Sequence, residues 1–116
     1  MFTLTHEDDR IGTTKLERGD PSALTVSGAF DNIGGAKALA GWIQSVGGSI
    51  DDGVVFIALD DNFSLLDPEG NAIQFAEGHL MAIPADDEVF IDIAGLSIQD
   101  YQTYFARHID AMRNQV

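Results

Sequence analysis

The stretch IDDGVVFIALDDNFSLLDPEGNAIQFAEGHLMAIPADDEVFIDI, residues 50–93, decides the fold class of this chain. Short apolar runs in it are separated by turn residues, chiefly Asp, Asn, Gly and Pro, every eight to twelve positions. This pattern predicts an antiparallel β-meander. Its strands are expected at Val54–Leu59, Phe63–Leu66, Ala72–Ala76, His79–Ile83 and Glu88–Ile93. In the last strand apolar residues alternate with Glu88 and Asp92, which predicts that one face is exposed to water.

A helix is predicted on each side of this stretch. After Asp31 the residues Ala36, Leu39, Ala40, Ile43 and Val46 recur with helical spacing, and Gly47 provides a left-handed end. Ser97 is expected to cap a C-terminal helix with the apolar stripe Ile98, Tyr101, Phe105, Ile109 and Met112.

Two further strands are predicted before the first helix, at Phe2–Thr5 and Ala23–Phe30, so the element order is β-β-α-β-β-β-β-β-α. The polar segment Glu7–Pro21 between them is a candidate hairpin arm, because Ile11, Thr13, Thr14 and Leu16 are acceptable in strands. Residues 1–116 are therefore predicted to form a single α+β domain. An antiparallel β-meander sheet packs against one central helix and one C-terminal helix.

The charge distribution is the second strong feature. The chain has 19 Asp and Glu against six Lys and Arg, which gives a formal net charge of −13. Between Ala38 and Ala106 there is no Lys or Arg, although this stretch holds twelve acidic residues. Such a surface repels nucleic acids and anionic membranes, and it attracts basic proteins or cations. The alternative explanation is that the acidic charge serves solubility alone.

Several classes of function lack their sequence signatures. The absence of cysteine excludes disulfides, thiolate metal sites and cysteine nucleophiles. Neither a nucleophile elbow nor a phosphate-binding loop with its lysine is present. His6, His79 and His108 lack the close spacing of a zinc or iron site. We therefore expect no catalytic residues, no metal site and no cofactor.

The sequence lacks the features of a secreted or membrane protein. The first residues do not have the basic start and long apolar run of a secretory signal. The longest apolar stretch, Val54–Leu59, is too short to cross a bilayer. Together with the absence of cysteine, these observations predict a cytoplasmic protein without membrane association.

The segment Asp67–Asn71, sequence DPEGN, is predicted to be a tight turn between two strands. Asp at the first position can accept hydrogen bonds from the following backbone, Pro presets φ at the second, and Gly suits the fourth. The segment does not match a calcium-binding loop, because Ala72 and Gly78 stand where such a loop has its glycine and its last glutamate.

One family resemblance passes through this turn. A helix ending in SVGGSI, followed by strands and by LLDPEGNAIQFAE, resembles half a module of the vicinal oxygen chelate family, the glyoxalase and dioxygenase-like proteins. The resemblance covers Asp31–Glu77. It implies a small-ligand domain, dimeric to complete its barrel. Gln74 stands at the position of a metal-binding carboxylate, and no histidine occurs in Ala23–Phe30, so the usual metal site is not expected.

Pairs of acidic residues at predicted turns give the functional prediction. We expect a contact surface for a basic protein partner made by Asp51, Asp52, Asp60, Asp61, Asp86, Asp87 and Glu88. Such a surface can stand in for phosphate and block a nuclease-like enzyme. Compact acidic bacterial immunity proteins and phage inhibitors are similar in style, although no motif is shared. The prediction is an inhibitor, with homodimerisation as a further possibility and the vicinal oxygen chelate domain as the alternative.

Overall fold

A computed structural model describes residues 1–113 of the chain. Its strands are β1 (Phe2–His6), β2 (Asp9–Thr14), β3 (Arg18–Asp20), β4 (Thr25–Asp31), β5 (Ser49–Asp51), β6 (Val54–Ala58), β7 (Phe63–Leu66), β8 (Ala72–Ile73), β9 (Glu77–Ile83) and β10 (Glu88–Ala94). Its helices are α1 (Gly35–Ser45), α2 (Ile98–Tyr104) and α3 (Ala106–Arg113), and a short 3-10 turn spans Pro84–Asp86. The predicted domain also included residues 114–116, which lie outside the described residues.

The strands form one antiparallel sheet in the order β5-β6-β9-β10-β4-β2-β1-β7-β8, and β3 pairs with β4 beside this path. Sequence neighbours form the hairpins β1–β2, β5–β6, β7–β8 and β9–β10. Four further pairings join these hairpins and β4 into one sheet, and one of them pairs β6 with β9. Strand β4 lies between β10 and β2, and β1 lies between β2 and β7. The predicted α+β class, with an antiparallel sheet and with central and C-terminal helices, is confirmed.

Helix α1 packs on one face of the sheet, against β9, β6 and β10. Its predicted stripe is confirmed for Ala36, Leu39, Ala40 and Ile43, which are buried, whereas Val46 lies past the end of the helix and is exposed. The helix ends as predicted, since Gly47 has φ of +98° and the N–H of Gly48 donates to the carbonyl of Ile43. These contacts bury the inner face of the sheet.

The C-terminal helical segment covers the N-terminal strands. Ser97 caps α2 by accepting from the N–H of Asp100 at 3.0 Å, as predicted. The helix then breaks at Phe105, so the segment forms two helices, and Ile98 at its start and Met112 at its end are exposed. Phe105 is fully buried and packs against the ring of Phe2, with the ring centroids 5.3 Å apart.

The chain forms more strands than the apolar pattern predicted. Strands β2 and β3 lie in the polar segment before Pro21, and β5 precedes the long apolar run. Strand β3 consists of Arg18, Gly19 and Asp20, all exposed, so backbone pairing with β4 rather than burial forms it. Hydropathy carries no signal for such a strand.

Candidate functional site

An apolar stripe crosses the outer face of the sheet, opposite α1. The pairings Phe56 with Met81, Met81 with Phe90, and Phe90 with Ala29 place these four side chains in one row across β6, β9, β10 and β4. Adjacent strands lie about 4.8 Å apart, so the row is about 14 Å long. Phe56, Met81 and Phe90 are half-buried and Ala29 is exposed.

The alternation of burial along β10 shows why the stripe remains outside. Val89, Ile91 and Ile93 face the core and are buried, whereas Glu88, Phe90 and Asp92 face outward. The prediction that one face of this strand is exposed to water is thereby confirmed. Exposed apolar groups bordered by polar residues are the usual organisation of an interaction surface.

Charged residues border the stripe on one side. Strand pairing places Asp51 beside Val54 at the edge of the sheet, and Glu88 opposite Ile83. Both acidic residues are exposed, and they lie one row from the apolar side chains. Two of the acidic residues predicted to contact a partner therefore lie on the outer face.

A second polar row borders the stripe on the other side. His79, Asp92, Ser27 and Arg18 are consecutive across β9, β10, β4 and β3. His79 Nδ1 lies 3.1 Å from Asp92 Oδ1. The guanidinium carbon of Arg18 lies 5.8 Å from the ring centroid of Phe90, so a cation covers the aromatic face. A hollow of about 270 Å³ opens here, lined by Arg18, Ser27, Gly28, Met81, Phe90, Ile91 and Asp92.

Five of the seven predicted contact residues lie at one end of the sheet, which we call the Asp52 end. It consists of Asp51 and Asp52 in the β5–β6 hairpin and of Asp86, Asp87 and Glu88 where β9 turns into β10. The two turns are neighbours because Val55 pairs with Ala82, which places the start of β6 beside the end of β9. All five residues are exposed.

The remaining two, Asp60 and Asp61, lie at the opposite end of β6. The five residues of β6 separate the two ends by about 17 Å. This separation exceeds the Debye length of about 8 Å at physiological salt, so the ends act as separate charged surfaces. The structure does not bring the seven residues into a single patch.

Asp60 and Asp61 instead adjoin the β1–β2 turn, which also consists of acidic residues. The N–H of Glu7 donates to the carbonyl of Asn62 at 2.9 Å, so Glu7, Asp8 and Asp9 lie beside the β6–β7 connection. We call these five acidic residues the Asp60 end. Behind them the ring of His6 packs against Trp42 at 5.2 Å and against Phe63 at 4.7 Å between centroids.

Asp87 has a structural role that its sequence position did not indicate. Its Oδ1 accepts from the N–H of Ala36 at 3.1 Å, at the first turn of α1. The residue before the helix, Gly34, has no side chain to cap it. Asp87 therefore supplies the N-terminal cap from a loop 51 residues away, and this carboxylate is engaged within the protein.

The acidic residues of the described part of the chain have few partners of opposite charge. In residues 1–113 no Lys or Arg side chain lies within ion-pairing distance of an Asp or Glu. The one contact between a basic and an acidic side chain in these residues joins His79 to Asp92. Arg107 donates to the carbonyl of Lys15, and Arg18 lies over Phe90. The negative charge of the described surface is therefore uncompensated.

The predicted turn at Asp67–Asn71 is confirmed. Asp67 Oδ1 accepts from the N–H groups of Glu69 at 2.9 Å and Asn71 at 2.8 Å, and Gly70 has φ of +90°. The sequence did not indicate that the hydroxyl of Tyr104 donates to Asp67 Oδ2 at 2.7 Å. The Tyr104 hydrogen bond, followed by the backbone donors, lowers the pKa of Asp67, while the same contact raises the pKa of Tyr104. The carboxylate ties the turn to α2.

The three histidines lie on different elements. His6 is on β1, His79 is on β9, and His108 is on α3, where its Nε2 lies 2.9 Å from the carbonyl oxygen of Leu16. No group of three or more potential metal ligands occurs in residues 1–113.

Gln74 is exposed and lines a hollow of about 260 Å³ that Asp60 and Asp61 also border.

Sequence reasoning left the aromatic anchors undecided and did not select the outer stripe. The sequence offers Trp42, Phe63 and Tyr104 as candidate aromatic anchors without showing which of them are exposed. In the structure Phe63 is buried, while Trp42 and Tyr104 are half-buried in aromatic contacts. The alternation in β9 and β10 was the available signal for Met81 and Phe90. The position of Arg18 could not be predicted from the sequence, because it depends on the pairing of β3 with β4.

Comparison with known proteins gives no relative. No family model, curated protein or solved structure matches the chain. The helices in the described residues include none with the length and apolar character needed to span a membrane.

Proposed function

We propose that this protein is a binding protein that docks on a basic protein partner and neutralises it. The observation that carries the proposal is the uncompensated negative charge. Its described surface has carboxylates at both ends of the sheet, and none of them is paired with Lys or Arg in residues 1–113. Carboxylates that form no ion pair within the described residues are available to cations on another molecule.

The net charge of the chain indicates which kind of partner this surface attracts. A net charge of −13 steers basic proteins toward the surface and repels polyanions, and both effects weaken as salt rises. A basic protein that acts on nucleic acid has a surface built for phosphate, which carboxylates can occupy. These charges support an inhibitor of a nuclease-like protein, and we place it in the cytoplasm as part of the same proposal.

The outer face supports the proposal through its organisation. The apolar row of Phe56, Met81 and Phe90 has Asp51 and Glu88 on one side and Asp92 on the other. Protein interfaces combine a desolvated apolar centre, which supplies most of the affinity, with a polar rim. Charge at the rim sets the association rate, whereas the centre sets the dissociation rate.

Capture from the lysate of the native host tests the proposal, with matched charge reversals as controls. Wild type is compared with Asp51→Lys/Asp52→Lys at one end and with Asp60→Lys/Asp61→Lys at the other, at low and at high salt. All four positions are exposed. We expect one basic protein to be retained by wild type, and to be lost with one reversal but not with the other.

Three outcomes would contradict the proposal. Equal loss with both reversals indicates unspecific attraction to a negative surface, and capture of no protein at all supports the explanation that the charge serves solubility alone. Retention of a second copy of this chain alone rejects the basic partner and leaves the predicted homodimer. The purified pair then gives association rates, which should fall with salt if charge steers the encounter.

A further inference from the structure

We infer that Arg18 occupies, in the free protein, the position of a cationic side chain of the partner. The site is the hollow of the outer face, between Phe90, Met81 and Asp92. This inference rests on the proposed function, because it assigns the place where a basic partner inserts an arginine or a lysine.

The groups that line the hollow are those that recognise a guanidinium. Phe90 presents its ring face outward, and the Arg18 guanidinium carbon already lies 5.8 Å from the ring centroid. Asp92 lies in the next row and keeps one carboxylate oxygen free of protein hydrogen bonds in residues 1–113, since His79 contacts Oδ1. A π-face beside a carboxylate stabilises a planar cation by stacking and by charge.

Arg18 is well placed to leave this position. It is exposed on β3, a three-residue strand whose side chains are all exposed. Its guanidinium makes no ion pair within residues 1–113, although Asp92 lines the same hollow. An exposed contact between a cation and a ring contributes little stability, so an incoming cation can replace it.

The hollow has room for the replacement. About 270 Å³ remains open beside Arg18, and the small residues Ser27 and Gly28 are part of its lining. Competition from Arg18 reduces the apparent affinity by the fraction of time for which the hollow is occupied. Removal of Arg18 should therefore tighten binding of a cationic ligand rather than weaken it.

Methionine methyl groups provide the assay. The chain has three methionines, and Met81 lines the hollow while Met1 and Met112 are exposed elsewhere. With ¹³C-methyl-methionine protein, a hexa-arginine peptide is titrated at low salt, and hexa-citrulline serves as the uncharged control. We expect the Met81 signal to shift with hexa-arginine, while the Met1 and Met112 signals change little.

The variants separate the hollow from general charge attraction. Arg18→Ala should tighten hexa-arginine binding at Met81 by about three-fold, the size expected for loss of an exposed cation–π competitor. Arg10→Ala removes the same charge from another exposed site and should change affinity much less. Asp92→Asn should weaken binding several-fold, whereas Asp52→Asn, at an exposed position of the Asp52 end that does not line the hollow, should not.

The failures of the two proposals are distinguishable. If hexa-arginine does not bind wild type at low salt, the proposed attraction to basic partners fails. If it binds but the Met81 signal does not move, or if Arg18→Ala and Arg10→Ala have equal effects, the hollow is not the cation site. That outcome overturns the inference and leaves the proposed function standing.

Discussion

Substitution of the adjacent residues Phe90 and Ile91 by alanine should have very different effects on stability. Ile91 is 0 % exposed in the core, whereas Phe90 lies half-buried on the outer face. Truncation of a buried isoleucine removes its transfer free energy and leaves a cavity, at a cost of about 3 kcal/mol. Truncation of Phe90 loses part of a ring surface and the exposed Arg18 contact, for which we expect about 1 kcal/mol.

The difference is large enough for a simple assay. A chain of 116 residues has an expected stability of about 6 to 17 kcal/mol, so both variants should remain folded. Urea unfolding can be followed by the fluorescence of Trp42, the one tryptophan of the chain. In thermal scans, Ile91→Ala should lower Tm by about 10 °C and Phe90→Ala by about 4 °C.

The same pair tests the assignment of the two faces. Loss of stability in Phe90→Ala equal to that in Ile91→Ala would refute the assignment of Phe90 to the outer face. If Phe90→Ala stays folded and loses the partner, the binding loss is separated from unfolding.

Three further predictions concern particular hydrogen bonds and glycines. Replacement of Asp87 by Ala should destabilise the protein by about 1 kcal/mol in urea unfolding, because the N-terminal cap of α1 is lost; an unchanged midpoint would exclude this role. Tyr104→Phe should lower stability at neutral pH and have less effect in acid. Asp67 has a lowered pKa in the folded protein, so its contribution is present above the unfolded value of 3.8 and is lost as pH falls through the folded value. Equal destabilisation at pH 7 and pH 2 would contradict it. Gly41→Ala should stabilise α1 by about 0.5–1 kcal/mol because open space surrounds the position, whereas Gly48→Ala should destabilise because the new Cβ meets Ile43; thermal scans that show the same sign for both would contradict the packing.

The sequence predicted those parts of the fold that depend on local patterns. Helix α1, its glycine end, the Ser97 cap and the Asp67 turn all follow from residues within a few positions of each other. Strand β3 could not be predicted, since its exposed residues become a strand only by pairing with β4.

The acidic part of the candidate site was predictable from the sequence, but its arrangement and the apolar stripe were not. Acidic residues at turns could be read from the sequence, whereas their distribution between two ends depends on the pairing of β6 with β9. The cap by Asp87 and the contact between Tyr104 and Asp67 link residues 51 and 37 positions apart. No local pattern records such contacts.

The pairing of β4 with β10 has a consequence for synthesis of the chain on the ribosome. Phe90 pairs with Ala29, roughly sixty positions earlier, so β4 emerges long before the strand that completes the centre of the sheet. Until then its edge and the apolar runs between the two strands are open to other nascent chains. Those runs lie within the stretch that has acidic residues and no Lys or Arg. Like charges on unfinished chains repel one another. The same carboxylates should therefore reduce aggregation of the chain until β10 has been synthesised.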